Sequence, residues 1–255
     1  MATVAVPSRR AAVGKFYVTM AAIFVAIAFG GFFSTYWLQV ARGTFNGSPL
    51  LHVHGLLFSL WTLFFFSQAT LMANRKVRQH RAWGLLGISL ATAMLFMGLA
   101  VAIEGMRHRI DSGFGDAGRA FAIVPISGIT LFAILVTAAI ANIRRPEWHK
   151  RLMLVATAGI LQAAIARFFF LAATGGGPGM RPGLGPPNTI ERTTMPAALV
   201  ALLVVAAMVH DWRKSGRVHP AYWWGFGALI AVYVLRPIVG YSDAWFRFTD
   251  FLLAF

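Results

Sequence analysis

The chain has 255 residues, of which 58% are hydrophobic and only 12% charged. Soluble domains carry about 25% charged residues, so this composition belongs in a lipid bilayer and excludes a disordered or nucleic-acid-coating chain, despite a net charge of +15. Cysteine is absent, which excludes disulfides, thiolate metal sites, cysteine nucleophiles and thiolate-ligated haem.

A helix that crosses a membrane needs about 20 mostly apolar residues. Seven stretches qualify, at roughly 16–40, 50–73, 82–103, 120–143, 152–173, 195–210 and 221–241. Backbone polar groups must pair internally in hydrocarbon, and the alternating strands of a membrane barrel are missing. Each stretch is therefore expected to be a helix. The first has 26 uncharged residues from Phe16 to Ala41, with no A-x-A-like site after it, and reads as a retained anchor. The sixth is short, but Thr194 before Pro196 has the chemistry of a helix start. The run TGGGPGMRPGLGPPNTIERT, residues 174–193, predicts an irregular outer loop. The expected fold class is all-α: a polytopic bundle of seven transmembrane helices, with a cytoplasmic segment 1–15 and one membrane domain over 16–255.

Lys and Arg in short loops set orientation. One set of alternate loops holds Arg9, Arg10, Lys15, Arg75, Lys76, Arg78, Arg81, Arg144, Arg145, Lys150, Arg151, Arg213, Lys214 and Arg217, which is 14 of 23 basic residues. The other set holds seven: Arg42, Arg107, Arg109, Arg119, Arg181, Arg192 and Arg247. The N-terminus is thus expected in the cytoplasm and the C-terminus outside, in a bacterial inner membrane. The positive charge then reflects topology and contact with membrane lipids, and implies no nucleic-acid partner.

His80, His149 and His219 lie 69 and 70 residues apart, and each follows a basic inner loop. That period suggests one leading helix followed by three helical hairpins. Arg167 follows His149 by 18 residues and Arg236 follows His219 by 17, so both lie about 25 Å along their helices.

Neutral imidazole ligates haem iron and other metals. His80 and His149 are the candidate axial ligands of a b-type haem, with His219 and Asp211 placed to support them, Asp211 by orienting an imidazole through its second nitrogen. The alternative for all three histidines is an interfacial role beside the tryptophans of an aromatic belt. On the other side, His52 and His54 open the second helix, and His108 lies in the adjacent loop with Glu104, Asp111 and Asp116. These residues suit a copper or zinc site if the first turn is extended, since helical residues two apart diverge. Arg167 and Arg236 stand within apolar stretches, where charge faces the bundle interior or a wet cavity. Together they suit an anion; otherwise they reach the headgroups or pair with Glu104 or Asp243. Gln68 and Gln162 suit a ligand cavity or hydrogen bonds between helices. Lys15, Lys76, Lys150 and Lys214 lie in or beside inner loops. None stands at mid-membrane to form a Schiff base, so no retinal is expected.

The runs HVHGLLFSLW, QHRAWG, RRPEWHKRLMLVAT and GRVHPAYWWG, spread over about residues 50–225, resemble those of a family of uncharacterised bacterial seven-helix membrane proteins. His54, Gly55, Leu57 and Trp61, followed by His80 and His149, more distantly resemble the ligand helices of transmembrane b-type cytochromes. That likeness implies one haem on the inner side, between His80 and His149, because residues 120–130 offer no histidine to partner His54. The leading functional expectation is an inner-membrane protein that binds a b-type haem or metal for electron transfer. The alternatives are an accessory or assembly subunit of a larger respiratory or photosynthetic complex, with other membrane subunits as partners, and a metal-dependent hydrolase or sensor using the outer histidines and arginines.

Overall fold

A computed structural model describes residues 9–175 and 189–254. Among the described residues the only regular structure is helix, with no strand, and seven stretches are long and apolar enough to cross a membrane: Lys15–Ala41, Pro49–Ala73, Val77–Phe121, Ile123–Ala141, Pro146–Ala173, Ile190–Ser215 and Pro220–Gly240. Most of the expected outer loop 174–193, with Arg181, lies outside the described residues, as do residues 1–8 of the expected N-terminal segment. Helix begins within that segment, at Arg9, and the apolar stretch long enough to cross a membrane begins at Lys15.

Helix α1 (Arg9–Phe32) passes through a π turn at Phe33–Trp37 into the short α2 (Leu38–Ala41). Helices α3 (Pro49–Ala73) and α4 (Val77–Arg109) follow. A second π turn at Ile110–Phe114 and α5 (Gly115–Phe121) lead into α6 (Ile123–Ala141). The fifth crossing is made of two helices, α7 (Pro146–Ile160) and α8 (Gln162–Thr174). A 3-10 turn at Ile190–Thr193 opens α9 (Thr194–Ser215), followed by α10 (Pro220–Gly240) and α11 (Asp243–Leu253).

Local chemistry sets the ends. Pro49, Pro146 and Pro220 start α3, α7 and α10, where the missing N–H costs nothing and φ is already helical. Gly175 and Gly216 close α8 and α9 in the left-handed conformation, φ 75° and 71°, which a side chain would strain.

The crossing formed by α7 and α8 is the most enclosed, with half of its apolar window buried. Around it Phe24, Trp61, Phe132, Leu154, Val155, Leu161, Val200 and Leu229 form the core. Helix pairs α3/α4, α6/α7 and α9/α10 pack as consecutive hairpins, and α1 lies against α3 and α8. Leu85, Phe96, Ile134, Trp224 and Ile238 face outward and exposed, as expected of surfaces that meet lipid rather than water. The connections at 74–76, 142–145 and 216–219 all lie at one end of the bundle, termed here the basic end.

Two features depart from expectation. Helix α4 has 33 residues, about 50 Å at 1.5 Å per residue, so it runs well past a hydrocarbon layer of about 30 Å. Helix α11 was not expected at all. Its Trp245 and Thr249 are buried and its Asp243, Arg247 and Asp250 exposed. Trp245 Nε1 donates to Arg119 O at 2.9 Å, and Arg119 pairs with Asp250 at 2.7 Å. The helix therefore seals the end opposite the basic one, over a second small core of Met106, Ala120, Ile123 and Ile190.

Candidate functional sites

His80 and His149 each sit in the first turn of a helix, α4 and α7, with their backbone N–H bonded to Lys76 O and Arg145 O. Matched register at the basic end brings the two rings together, with centroids 6.3 Å apart and planes nearly perpendicular at 81°. His149 Nδ1 lies 2.9 Å from Ala139 O. A carbonyl only accepts, so Nδ1 carries the proton, and a ligand to this ring would bind at Nε2. Such a carbonyl contact is the usual way a ligating imidazole is oriented. His80 Nδ1 is buried without a partner, and so are both amide atoms of Gln68, Oε1 and Nε2. The Gln68 backbone carbonyl lies beside the His80 ring. Buried polar atoms are almost always satisfied, so the unpartnered His80 Nδ1 leaves this ring nitrogen free for a partner.

The two rings make a perpendicular edge contact at a spacing that two imidazoles sharing one metal would also have. Two imidazoles on opposite sides of one metal, each bonded at about 2.0 Å, have ring centres about 6 Å apart. Iron, copper or zinc are all compatible with two neutral imidazoles.

The third inner histidine does not join them. His219 caps α10, its Nδ1 accepting from Ala221 N–H at 3.1 Å, and its ring meets the edge of Trp148 at 5.5 Å. Burial, and then the nearby Arg151 guanidinium, hold the His219 imidazole below its ordinary pKa, so the ring stays neutral and able to accept. Asp211 is also corrected. Instead of orienting an imidazole ring, its carboxylate is clamped by Arg151 through Nε to Oδ2 at 2.9 Å and Nη2 to Oδ1 at 2.6 Å. Oδ2 accepts further from the His219 backbone N–H at 3.2 Å. Arg151 also pairs with Glu147, which holds Lys150 at 2.6 Å. Tyr17 and Tyr222 adjoin this network with hydroxyls 3.3 Å apart, and the Arg151 guanidinium stands 5.6 Å over the Tyr222 ring. Sequence reasoning missed Arg151, Tyr17 and Tyr222; of their contacts only the Glu147–Arg151 spacing of four residues is a sequence signal.

At the opposite end His52, His54 and His108 go separate ways. The π turn at Phe33–Trp37 carries Tyr36, whose hydroxyl is 3.0 Å from His52 Nδ1. His54 stacks on Phe58 at 4.1 Å, and its Nδ1 is buried without a partner. His108 lies in the last turn of α4, where its carbonyl accepts from Ser112 Oγ at 2.7 Å. Among the described residues no group of three or more His, Asp or Glu is placed to hold a metal ion, so the expected outer cluster is not assembled.

The two membrane arginines likewise do not converge. Arg167 lies 4.1 Å over the Phe32 ring, donates to Ala163 O at 3.1 Å and keeps Nε buried and unpartnered. Arg236 instead donates to Ser127 Oγ at 2.9 Å, Gln162 Oε1 at 2.7 Å and Val124 O at 3.1 Å. Neither pairs with Glu104 or Asp243: the ion pairs among the described residues involve Arg119, Lys150 and Arg151. Gln162 also donates to Thr193 O at 3.2 Å, so it braces Arg236, whereas Gln68 is buried on α3, with its backbone carbonyl beside His80 at the other end. No protein-family model, curated protein or solved structure matches the chain. Its function is therefore read from the chemistry of these sites.

Proposed function

We propose that the protein is a multi-pass protein of the bacterial inner membrane that holds a redox metal, as a b-type haem or as copper, between His80 and His149 and passes electrons through it. The single observation that carries this reading is the close approach of two imidazoles from different helices, centroids 6.3 Å apart, with His80 Nδ1 buried and unpartnered. Ala139 O fixes the His149 tautomer and leaves Nε2 for the metal. A metal bound there supplies a one-electron couple at the basic end. That end carries most of the Lys and Arg of the short loops, which supports a cytoplasmic location for it.

The test is the visible spectrum and metal content of detergent-purified protein, expressed with haem precursor and copper supplied. We expect a Soret band or stoichiometric copper in the wild type, a fall of at least about tenfold in occupancy in His80→Ala and His149→Ala, and no change in His52→Ala. Protein with neither haem nor copper, or with occupancy unaltered in both inner variants, overturns the reading. Stoichiometric zinc at the same ligands would end the electron-transfer part of it, since zinc has no redox couple. A metal-free chain that copurifies with a respiratory or photosynthetic complex would favour an accessory subunit instead.

A further inference from the structure

The lipid-facing surface is interrupted at the basic end by a groove. Helices α6, α7 and α10 pack against one another, and between them lies a space of about 370 Å³, as large as the smaller ligand sites of proteins, which start at roughly 300 Å³. Its walls are Leu135 and Ala138 of α6, Leu152 of α7 and the rings of Trp148 and Trp224. Trp224 is 73% exposed, so the groove opens sideways toward lipid. Asn142, at the end of α6, lines it where the helix meets the basic connection. Leu135 lies seven residues deeper on the same helix, about 10 Å at 1.5 Å per residue. The groove is thus an apolar slot that begins at the membrane boundary and runs inward.

Two cations stand at its mouth. Arg144 and Arg145 follow Asn142 in the connection to α7, and Arg145 N–H donates to Asn142 O at 2.8 Å, which keeps both within one tight turn of the groove. Both residues are exposed. All eight Asp and Glu lie among the described residues, and none forms an ion pair with either arginine. Glu147, the acid nearest in sequence, is held by Lys150 and Arg151. Tryptophan rings favour the headgroup level of a bilayer, and unpaired arginines there attract anionic lipid. An apolar slot that ends in such charge suits an amphiphile with its tail inward and its phosphate at the guanidiniums. A soluble anion would leave the apolar walls unused, and a zwitterionic lipid would bring a cation of its own toward the arginines.

We propose that this groove binds one anionic phospholipid from the leaflet at the basic end, with an acyl chain between α6, α7 and α10 and its phosphate at Arg144 and Arg145. The site shares no residue with the His80–His149 pair, so it stands whether or not a metal binds there.

The experiment is native mass spectrometry of the detergent-solubilised full chain, titrated with dioleoylphosphatidylglycerol or with dioleoylphosphatidylcholine, which has the same tails and no net charge. The wild type should take up one phosphatidylglycerol saturably, at concentrations at least about tenfold below those that phosphatidylcholine needs. A cation at a membrane surface is worth about fivefold in affinity for anionic lipid, so Arg144→Gln with Arg145→Gln should weaken uptake about 25-fold. Lys76→Gln with Arg78→Gln, an equal loss of charge at the start of α4, should leave uptake unchanged. Ala138→Phe keeps both arginines but fills the slot, and should abolish the one-to-one uptake. Equal uptake of the two lipids overturns the proposal, as does a fall in the Lys76 and Arg78 variant as large as that in the Arg144 and Arg145 variant. Full uptake by folded Ala138→Phe also overturns it, since the contact would then be one of surface charge alone.

Discussion

At the scale of single residues, Arg151 and Asp211 make the most consequential contact in the chain. Both are buried, with side chains 8% and 7% exposed, and the bidentate clamp between them ties α7 to α9. Removing one partner of such a pair leaves the other charge buried and alone. Arg151→Met should therefore lower stability by about 3–5 kcal/mol, whereas Arg151→Met with Asp211→Leu should recover most of the loss. Thermal unfolding midpoints of the two variants in detergent check this, and equal destabilisation of single and double variants would contradict it. The pair was not legible in the sequence because its members are 60 residues apart. Arg151 read as one more cation of an inner loop. The nearness of His80 to His149 was legible because both recur after basic loops at the start of a helix. The departure of His219 from that pattern was not, since it depends on Pro220 beginning α10 and leaving His219 outside as its cap.

At the scale of elements, the seven crossings were legible because each needs a long apolar run, and such runs cannot be hidden. The extra turns of α4 and the whole of α11 were not. Both lie near or beyond the membrane boundary, where charged residues such as Glu104, Arg107 and Asp243 belong equally to helix and loop. The break between α7 and α8 at Leu161 also left little trace, as Gly159 is the only local sign in the run AGILQAA. Close helix contacts are a matter of backbone approach. At Gly31, α1 comes so near to α8 that an added Cβ would stand 2.3 Å from Ala164 O. Backbone cannot yield as a flexible side chain does, so Gly31→Ala should cost about 1–3 kcal/mol. Gly227, in the middle of α10 with nothing within 4 Å of an added Cβ, should tolerate alanine with no loss, or a gain of up to about 1 kcal/mol from helix propensity. Unfolding of the two variants side by side tests this, and a neutral Gly31→Ala would mean that α1 and α8 are not packed as described.

At the scale of the whole molecule, the bundle has two chemically distinct ends. One carries the basic connections and the His80–His149 pair; the other carries Arg236, Arg167 and the α11 seal. Because the chain contains no cysteine, single substitutions report sidedness without background. Arg78→Cys and Arg145→Cys should react with membrane-impermeant thiol reagents only from the cytoplasmic side, and Arg42→Cys and Arg192→Cys only from the periplasmic side. The reverse pattern would invert the bundle and move the proposed metal to the periplasmic face. The claim that matters most, that two imidazoles share one metal, is tested most directly by electron paramagnetic resonance of protein loaded with one copper per chain and carrying isotope-labelled histidine. The predicted result is copper coupled to two imidazole nitrogens in the wild type and to one in His80→Ala or His149→Ala. Copper coupled to none, or still coupled to two in both variants, would contradict it.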